Sequence, residues 1–244
     1  MTGLGTIPAA AFSNPNPSSG RAVVRLILGV FLIAGVLAIL LFVPAGRLDW
    51  IDAWLFIAAY GIVLLFYGIR GTLRDPGQLR ERGKQGANTK AWDRVILSIY
   101  SVLLLVLFPV CGLDAVRFRA LPLPIGLKGL GWIGMALSGA LILRVMAANT
   151  FASRTARIQD DRGQTVVSGG PYRHIRHPMY LGVIIFILCI PLVLGSGWGL
   201  IPSAAIGVLF VARTALEDRM LRRELTGYAE YAQRTRFRLL PGIW

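Results

Sequence analysis

Long uncharged stretches alternate with short basic ones along this chain. Leu26 to Pro44 is nineteen residues without a charge, Ala53 to Ile69 is seventeen, and Val95 to Leu113 is nineteen. Each can cross a hydrocarbon core that takes about 20 helical residues. A fourth apolar run extends from Leu127 to Asn149, interrupted by Lys128 near its start and by Arg144 near its end, where an arginine can snorkel to the interface. The fifth, Met179 to Ala212, is thirty-four residues without a charge, too long for one ordinary span. It contains Gly195-Ser196-Gly197, with Pro191 and Pro202 on either side, and predicts two short helices joined by a tight turn. After it, VARTALEDRMLRREL places Leu216, Met220 and Leu221 at helical spacing, a helix whose apolar side can lie against the membrane domain. The pattern predicts an all-α polytopic integral membrane protein: four transmembrane helices, a C-terminal helical hairpin and a cytosolic C-terminal helix.

Composition agrees. Of 244 residues, 55% are hydrophobic, and the mean hydropathy is positive. A formal charge of +14 raises the question of nucleic acid, but in a membrane chain basic residues first report topology. Arg21 and Arg25, the stretch from Arg70 to Arg94, that from Arg154 to Arg176 and that from Arg213 to Arg238 hold 21 of the 26 Lys and Arg residues. Arg47, Arg117, Arg119 and Lys128 fall between the other ends of the apolar segments. The positive-inside rule then places both termini and the two long loops in the cytoplasm, and no nucleic-acid partner is needed to explain the charge. An Arg-, Ala-, Gly- and Leu-rich chain of this kind suits a bacterial plasma membrane. The first twenty residues, with NPNPSSG, read as a disordered tail, and residues 21–244 as one domain with its chemistry on the cytosolic face. Cys111 and Cys189 lie inside apolar segments and should pack as small hydrophobes, so neither a disulfide nor a metal site is expected.

The candidate chemistry gathers in GGPYRHIRHPMYLG, residues 169–182, which holds both histidines, His174 and His177. Proline suits the first turn of a helix, so Pro178 marks a helix start and His177 its cap. Free N–H groups there, beside Arg173 and Arg176, favour an anionic group. Gly182 permits close approach of a ligand or a second helix. If the hairpin returns the chain to the same side, Arg213, Glu217 and Asp218 land near that cap. A cationic corner and an acidic corner then frame one pocket, suited to a ligand with a carboxylate, an ammonium, a ribose diol and a sulfonium. Plainer readings stand beside this one: arginines as membrane anchors, His174 as a surface residue, Glu217 in an i,i+4 pair with Arg213, and Tyr228, Tyr231 and Trp244 as an interfacial belt.

With RIQDDRGQTVVSGGPYRHIRHPMYLG, the hairpin, RTALEDRMLRREL, GYAEY and RLLPGIW, the chain resembles the isoprenylcysteine carboxyl methyltransferase family, which is related to the phospholipid methyltransferases. The likeness is strong over about the last hundred residues and weaker at DPGQLRERG and WDRV. It implies methyl transfer from S-adenosylmethionine to a lipophilic small molecule or lipid within the membrane, and a cofactor-binding part over about 149–244. The residues it implies for the cofactor are Gln159, Gln164, Thr165, Val166, Val167, Tyr172, His177, Pro178, Met179, Tyr180, Gly182 and Glu217. Arg213 matches the family's substrate arginine, and Arg176 and Arg234 are further candidates to orient a carboxylate by charge-assisted hydrogen bonds. Two positions depart from the pattern, Gln164 in place of histidine and Asp218 in place of a second glutamate. A carboxylate acceptor is the first expectation. The rivals are a phospholipid amine, a small thiol and, in another class, a non-catalytic membrane scaffold.

Overall fold

The computed structural model describes residues 17–74 and 89–244. The segment 1–16 of the expected tail and residues 75–88 of the first long loop lie outside them. Four long helices come first: α1 (Pro17–Ala45), α2 (Ile51–Arg74), α3 (Ala91–Gly112) and α4 (Ile125–Ala148). A π-helical turn, Leu113–Phe118, prolongs α3 and ends at Arg119 in the left-handed region at φ 49°. The hairpin follows as α5 (Pro178–Leu194) and α6 (Leu200–Glu224), and a short α7 (Tyr228–Arg234) completes the set. Among the described residues, α1, α2, α3 with its π turn, α4 and α6 are long and apolar enough to cross a membrane, whereas α5 is shorter.

The hairpin turn forms where glycine predicts it. Gly195 caps α5 at φ 78°, a conformation that costs a residue with a side chain more than it costs glycine. Pro191 and Pro202 lie inside the helix ends rather than in the turn. The larger difference is at the far end of α6. The tail helix expected from Val211 onward is the uninterrupted continuation of α6, so one 25-residue helix replaces a short hairpin arm and a separate cytosolic helix. A charge does not stop a helix, and Arg213 is 4% exposed and paired rather than emerging into water. Because α6 is eight residues longer than α5, it overshoots by roughly 12 Å. That extra length carries acidic residues up to the start of α5.

The core sits where the helices cross. Leu41 of α1, Phe56 of α2, Leu107 of α3, Ile190 and Leu194 of α5 and Ile206 of α6 are buried together, with Cys111 and Cys189 packed among them as small hydrophobes. Phe31, Leu32, Ile39, Ile62, Phe66, Val102, Leu137 and Val208 face outward, as lipid-facing residues do. α5 lies along α4 at a separation that glycine sets: a Cβ on Gly182 would come within 2.7 Å of Ile142 Cγ1, and one on Gly134 within 2.4 Å of Cys189 Sγ. At the hairpin's turn end, Asp114 ties the π turn to the hairpin. Its carboxylate accepts from the Leu121 N–H at 2.8 Å, the Ser196 hydroxyl at 2.6 Å and the Trp198 N–H at 2.9 Å. The opposite end, where α3 and α5 begin and α4 and α6 finish, is left to the long α4–α5 loop and the tail.

A candidate active site at one end of the bundle

At that opposite end the α4–α5 loop, the start of α5, the overshooting part of α6 and α7 line a cavity. The loop has little regular structure beyond short 3-10 turns at Asp160–Arg162 and Gly170–Arg173, so side chains fix its shape. Gln159 is 1% exposed; its Nε2 donates to the Phe151 carbonyl at 2.6 Å and its Oε1 accepts from Arg162 Nη1 at 2.7 Å. The Gln159 backbone N–H donates to Gln164 Oε1 at 2.8 Å. Asn149 caps the same loop, accepting from the Phe151 N–H and donating to the Tyr172 hydroxyl. The Tyr231 hydroxyl in turn donates to the Tyr172 carbonyl at 2.7 Å, docking α7 on the loop.

The His-Pro-Met-Tyr turn supplies the next wall. Pro178 opens α5, where its missing N–H would have had no partner in any case. His177 occupies the N-cap position but makes no capping bond; its ring lies parallel to Tyr180, with centroids 5.8 Å apart, and its Nε2 is 3.4 Å from the Tyr228 hydroxyl. One helical turn on, the Tyr180 hydroxyl donates to Glu217 Oε2 across the hairpin. Glu217 therefore does not form the i,i+4 pair with Arg213. Its other oxygen has no partner among the described residues and belongs to the cavity wall.

Two buried ion clusters hold these walls. Asp218, 1% exposed, accepts from Arg176 at 2.7 and 3.2 Å, from the Tyr228 hydroxyl at 3.0 Å and from Arg222 and Arg238 at 3.1 Å each. Arg176 also donates to the carbonyls of Thr235 and Arg236. Burial, then the neighbouring Asp218 charge, pushes the Tyr228 phenol well above its ordinary range, and burial raises Tyr231 to about 12. Both stay protonated hydrogen-bond donors throughout physiological pH. The second cluster is Asp93, fully buried in the first turn of α3, which accepts from Arg213 at 2.8 and 3.2 Å and from the Ala156 N–H at 2.7 Å. Arg213 donates as well to the Arg154 carbonyl at 2.8 Å and packs over the rings of Tyr180 and Phe210.

Of the residues expected at the cofactor, Gln159, Gln164, Thr165, Val166, Val167, Tyr172, His177, Met179, Tyr180 and Glu217 all line this cavity. Pro178 and Gly182 do not. Pro178 faces a groove on the other side of the turn, and Gly182 serves the second role foreseen for it, contact with α4. The cationic corner needs correction. Arg176 reaches the cavity but its guanidinium is spent on Asp218, Arg213 lies behind Tyr180 and is spent on Asp93, and Arg234 is exposed at the end of α7, away from the lining. Buried charges must be paired, and the partners were already within the fold. Asp93 was missed, although an acid in the first turn of an apolar helix is the one signal that could have raised it. Tyr228 and Tyr231 belong to the cavity rather than to an exposed belt, whereas Trp244 packs on Arg238.

If Asp93 and Arg213 act as one unit, alanine at either should cost more than alanine at the second once the first is gone. A double-mutant cycle on thermal stability is expected to give a coupling of about 1–3 kcal/mol, against the 0.5 kcal/mol or less of independent sites.

An α-helical membrane protein with a polar cavity at one end of its bundle, walled by a long interhelical loop and a helical hairpin, is the class that fold and site define. Residues 129–226, from α4 through α6, match the family model described as phospholipid methyltransferase. The match covers the hairpin, the loop and Glu217, and supports a membrane methyltransferase. No curated protein matches the chain.

Proposed function

We propose that the chain transfers a methyl group from S-adenosylmethionine to a lipophilic acceptor, with a carboxylate as the preferred accepting group. The observation that carries the reading is the half-open carboxylate of Glu217, fixed by Tyr180 and set across the cavity from the 164–167 segment. The cavity fits such a cofactor. Glu217 offers an acceptor for an ammonium or a ribose diol, Val166, Leu221 and Leu225 offer an apolar surface, and Tyr172, His177 and Tyr228 offer polar edges. When bound, the cofactor supplies an electrophilic methyl on a positively charged sulfur.

The protein's part is positioning and exclusion of water. The Gln159 and Asn149 bonds hold the loop over the cavity, and the Asp218 cluster holds His177, Tyr228 and the tail against it. An acceptor amine has to lose a proton, for which Glu217, with one oxygen open on the cavity, and His177 are the bases at hand. A carboxylate is already ionised and needs neither, which favours it over the phospholipid amine that the family description suggests. With Arg176 and Arg213 committed to buried acids, this reading gives the orienting role to Arg154, whose exposed side chain lies beside the cavity and not in its lining: Ser153 and Thr155 on either side line it, the Arg154 carbonyl is anchored by Arg213, and its guanidinium makes no hydrogen bond or ion pair among the described residues. In this reading the site end of the bundle faces the cytoplasm, an orientation that the distribution of basic residues supports.

The test gives purified protein in detergent methyl-labelled S-adenosylmethionine with a prenylated cysteine, phosphatidylethanolamine and a volatile thiol in parallel. Base-labile label on the prenylated cysteine is expected. Label on phosphatidylethanolamine alone would replace the carboxylate by an amine, and no label on any acceptor together with no cofactor binding would leave a scaffold.

A further inference from the structure

The turn from Gly169 to Met179 is a partition with a cavity on each side. Tyr172, Arg176, His177 and Met179 line the candidate active site, while Pro171, His174, Ile175 and Pro178 face a separate groove between α4 and α5. Its floor is apolar, with Leu141 and Ala148 from α4, Leu181 from α5 and Pro241 from the tail. Its charged and titratable lining residues are Arg144 and His174. Both side chains are exposed, neither has a hydrogen bond or an ion pair among the described residues, and no carboxylate lines the groove. The cationic rim is therefore uncompensated, unlike Arg176 and Arg213 on the inner side.

The groove also continues. Leu130, Ile133, Leu137, Leu141 and Arg144 recur every three or four residues along α4, which places them on one face of the helix. Leu130, Ile133 and Leu137 are 58–66% exposed. The stripe is roughly 21 Å long at 1.5 Å per residue, more than the ~15 Å depth of one leaflet of a ~30 Å core. An apolar track that ends in the unpaired Arg144 guanidinium, with the His174 imidazole beside it as a hydrogen-bonding group, matches an amphiphile with a negative head.

We propose that this groove binds one anionic phospholipid, its phosphate against Arg144 and His174 and an acyl chain along Leu141, Leu137 and Ile133. Bulk lipid would cover the track in any case; the cationic head of the groove is what selects charge. The occupant rests on the outer face of the wall whose inner face carries Tyr172 and His177, so it braces that wall without entering the active site. The inference is independent of the methyl-transfer reading.

The full chain in detergent micelles is titrated with phosphatidylglycerol or with phosphatidylcholine, and bound lipid is counted by native mass spectrometry. Wild type is expected to bind one phosphatidylglycerol at least tenfold more tightly than phosphatidylcholine. Arg144→Gln with His174→Gln should erase the preference, and Arg144→Lys should keep most of it. Arg144→Glu, a change at an exposed position that folding tolerates, should reverse it and guards against misfolding of the double variant. Equal affinity for the two lipids in wild type, or an unchanged preference in Arg144→Glu, overturns the proposal. So does displacement of phosphatidylglycerol by millimolar inorganic phosphate, which would show that a free anion suffices and the lipid track is idle.

Discussion

Asp218→Ala is expected to lower stability by about 3–5 kcal/mol, the range observed when one partner of a buried ion pair is removed. The carboxylate is 1% exposed and Arg176, its principal partner, is 4% exposed, so the substitution strands a guanidinium where water cannot replace the lost anion. Arg222 and Arg238 add little to this figure, because their side chains are 42% and 31% exposed and solvent screens them. Asp218→Asn should fall between, since an amide oxygen can still accept from the Tyr228 hydroxyl or from Arg176 but carries no charge. Loss of helical signal on heating in detergent measures the effect, with Asp160→Ala, at an exposed loop position, as a neutral reference. A melting temperature for Asp218→Ala equal to that of the reference would mean that the cluster is ornamental. Site geometry should degrade with stability, because the same carboxylate holds Tyr228 and lies 3.5 Å from His177 Nε2.

The helices were legible because the hydrophobic run is the same signal in sequence and in structure: about 20 apolar residues are needed to cross a bilayer, and a glycine cluster breaks the one run that is too long. The wall of the site was legible for a different reason. Gly169 to Tyr180 is a continuous motif in which proline at a helix start and histidine before it mark the turn locally, while Asp218 and the tail hold it in place. What sequence could not give was the pairing of charges. Arg213 finds Asp93 from 120 positions away and Arg176 finds Asp218 from 42, pairings settled by which helices pack together. Without that knowledge both arginines look free and suited to a substrate, and the corner looks cationic. The same ignorance made a boundary at Arg213 where α6 has none, since a charge was read as the edge of the membrane when it is the centre of a buried pair.

Asp218 changes meaning in the same way. In sequence it is only a shorter acid where the family that the chain resembles carries glutamate. In the structure it is the hub that sets the positions of α6, the histidine turn and the tail, and Glu217, one residue earlier, is the acid on the cavity. Adjacent residues on a helix point about 100° apart, so one can serve the core and the next the site.

In the proposed function Glu217 is the acid that a cofactor meets. Glu217→Gln preserves size and an acceptor for Tyr180 but removes the charge that a cationic or hydroxyl-bearing ligand would use. A hydrogen bond to a charged group contributes about 1.5–3 kcal/mol, which corresponds to a loss of affinity of roughly 10- to 100-fold. The direct measurement is calorimetric titration of S-adenosylmethionine into wild type and Glu217→Gln, with melting curves of both. Binding by wild type, weakened by that factor in a variant of unchanged stability, is the predicted result. No binding by wild type, or equal binding by the two proteins, would contradict it.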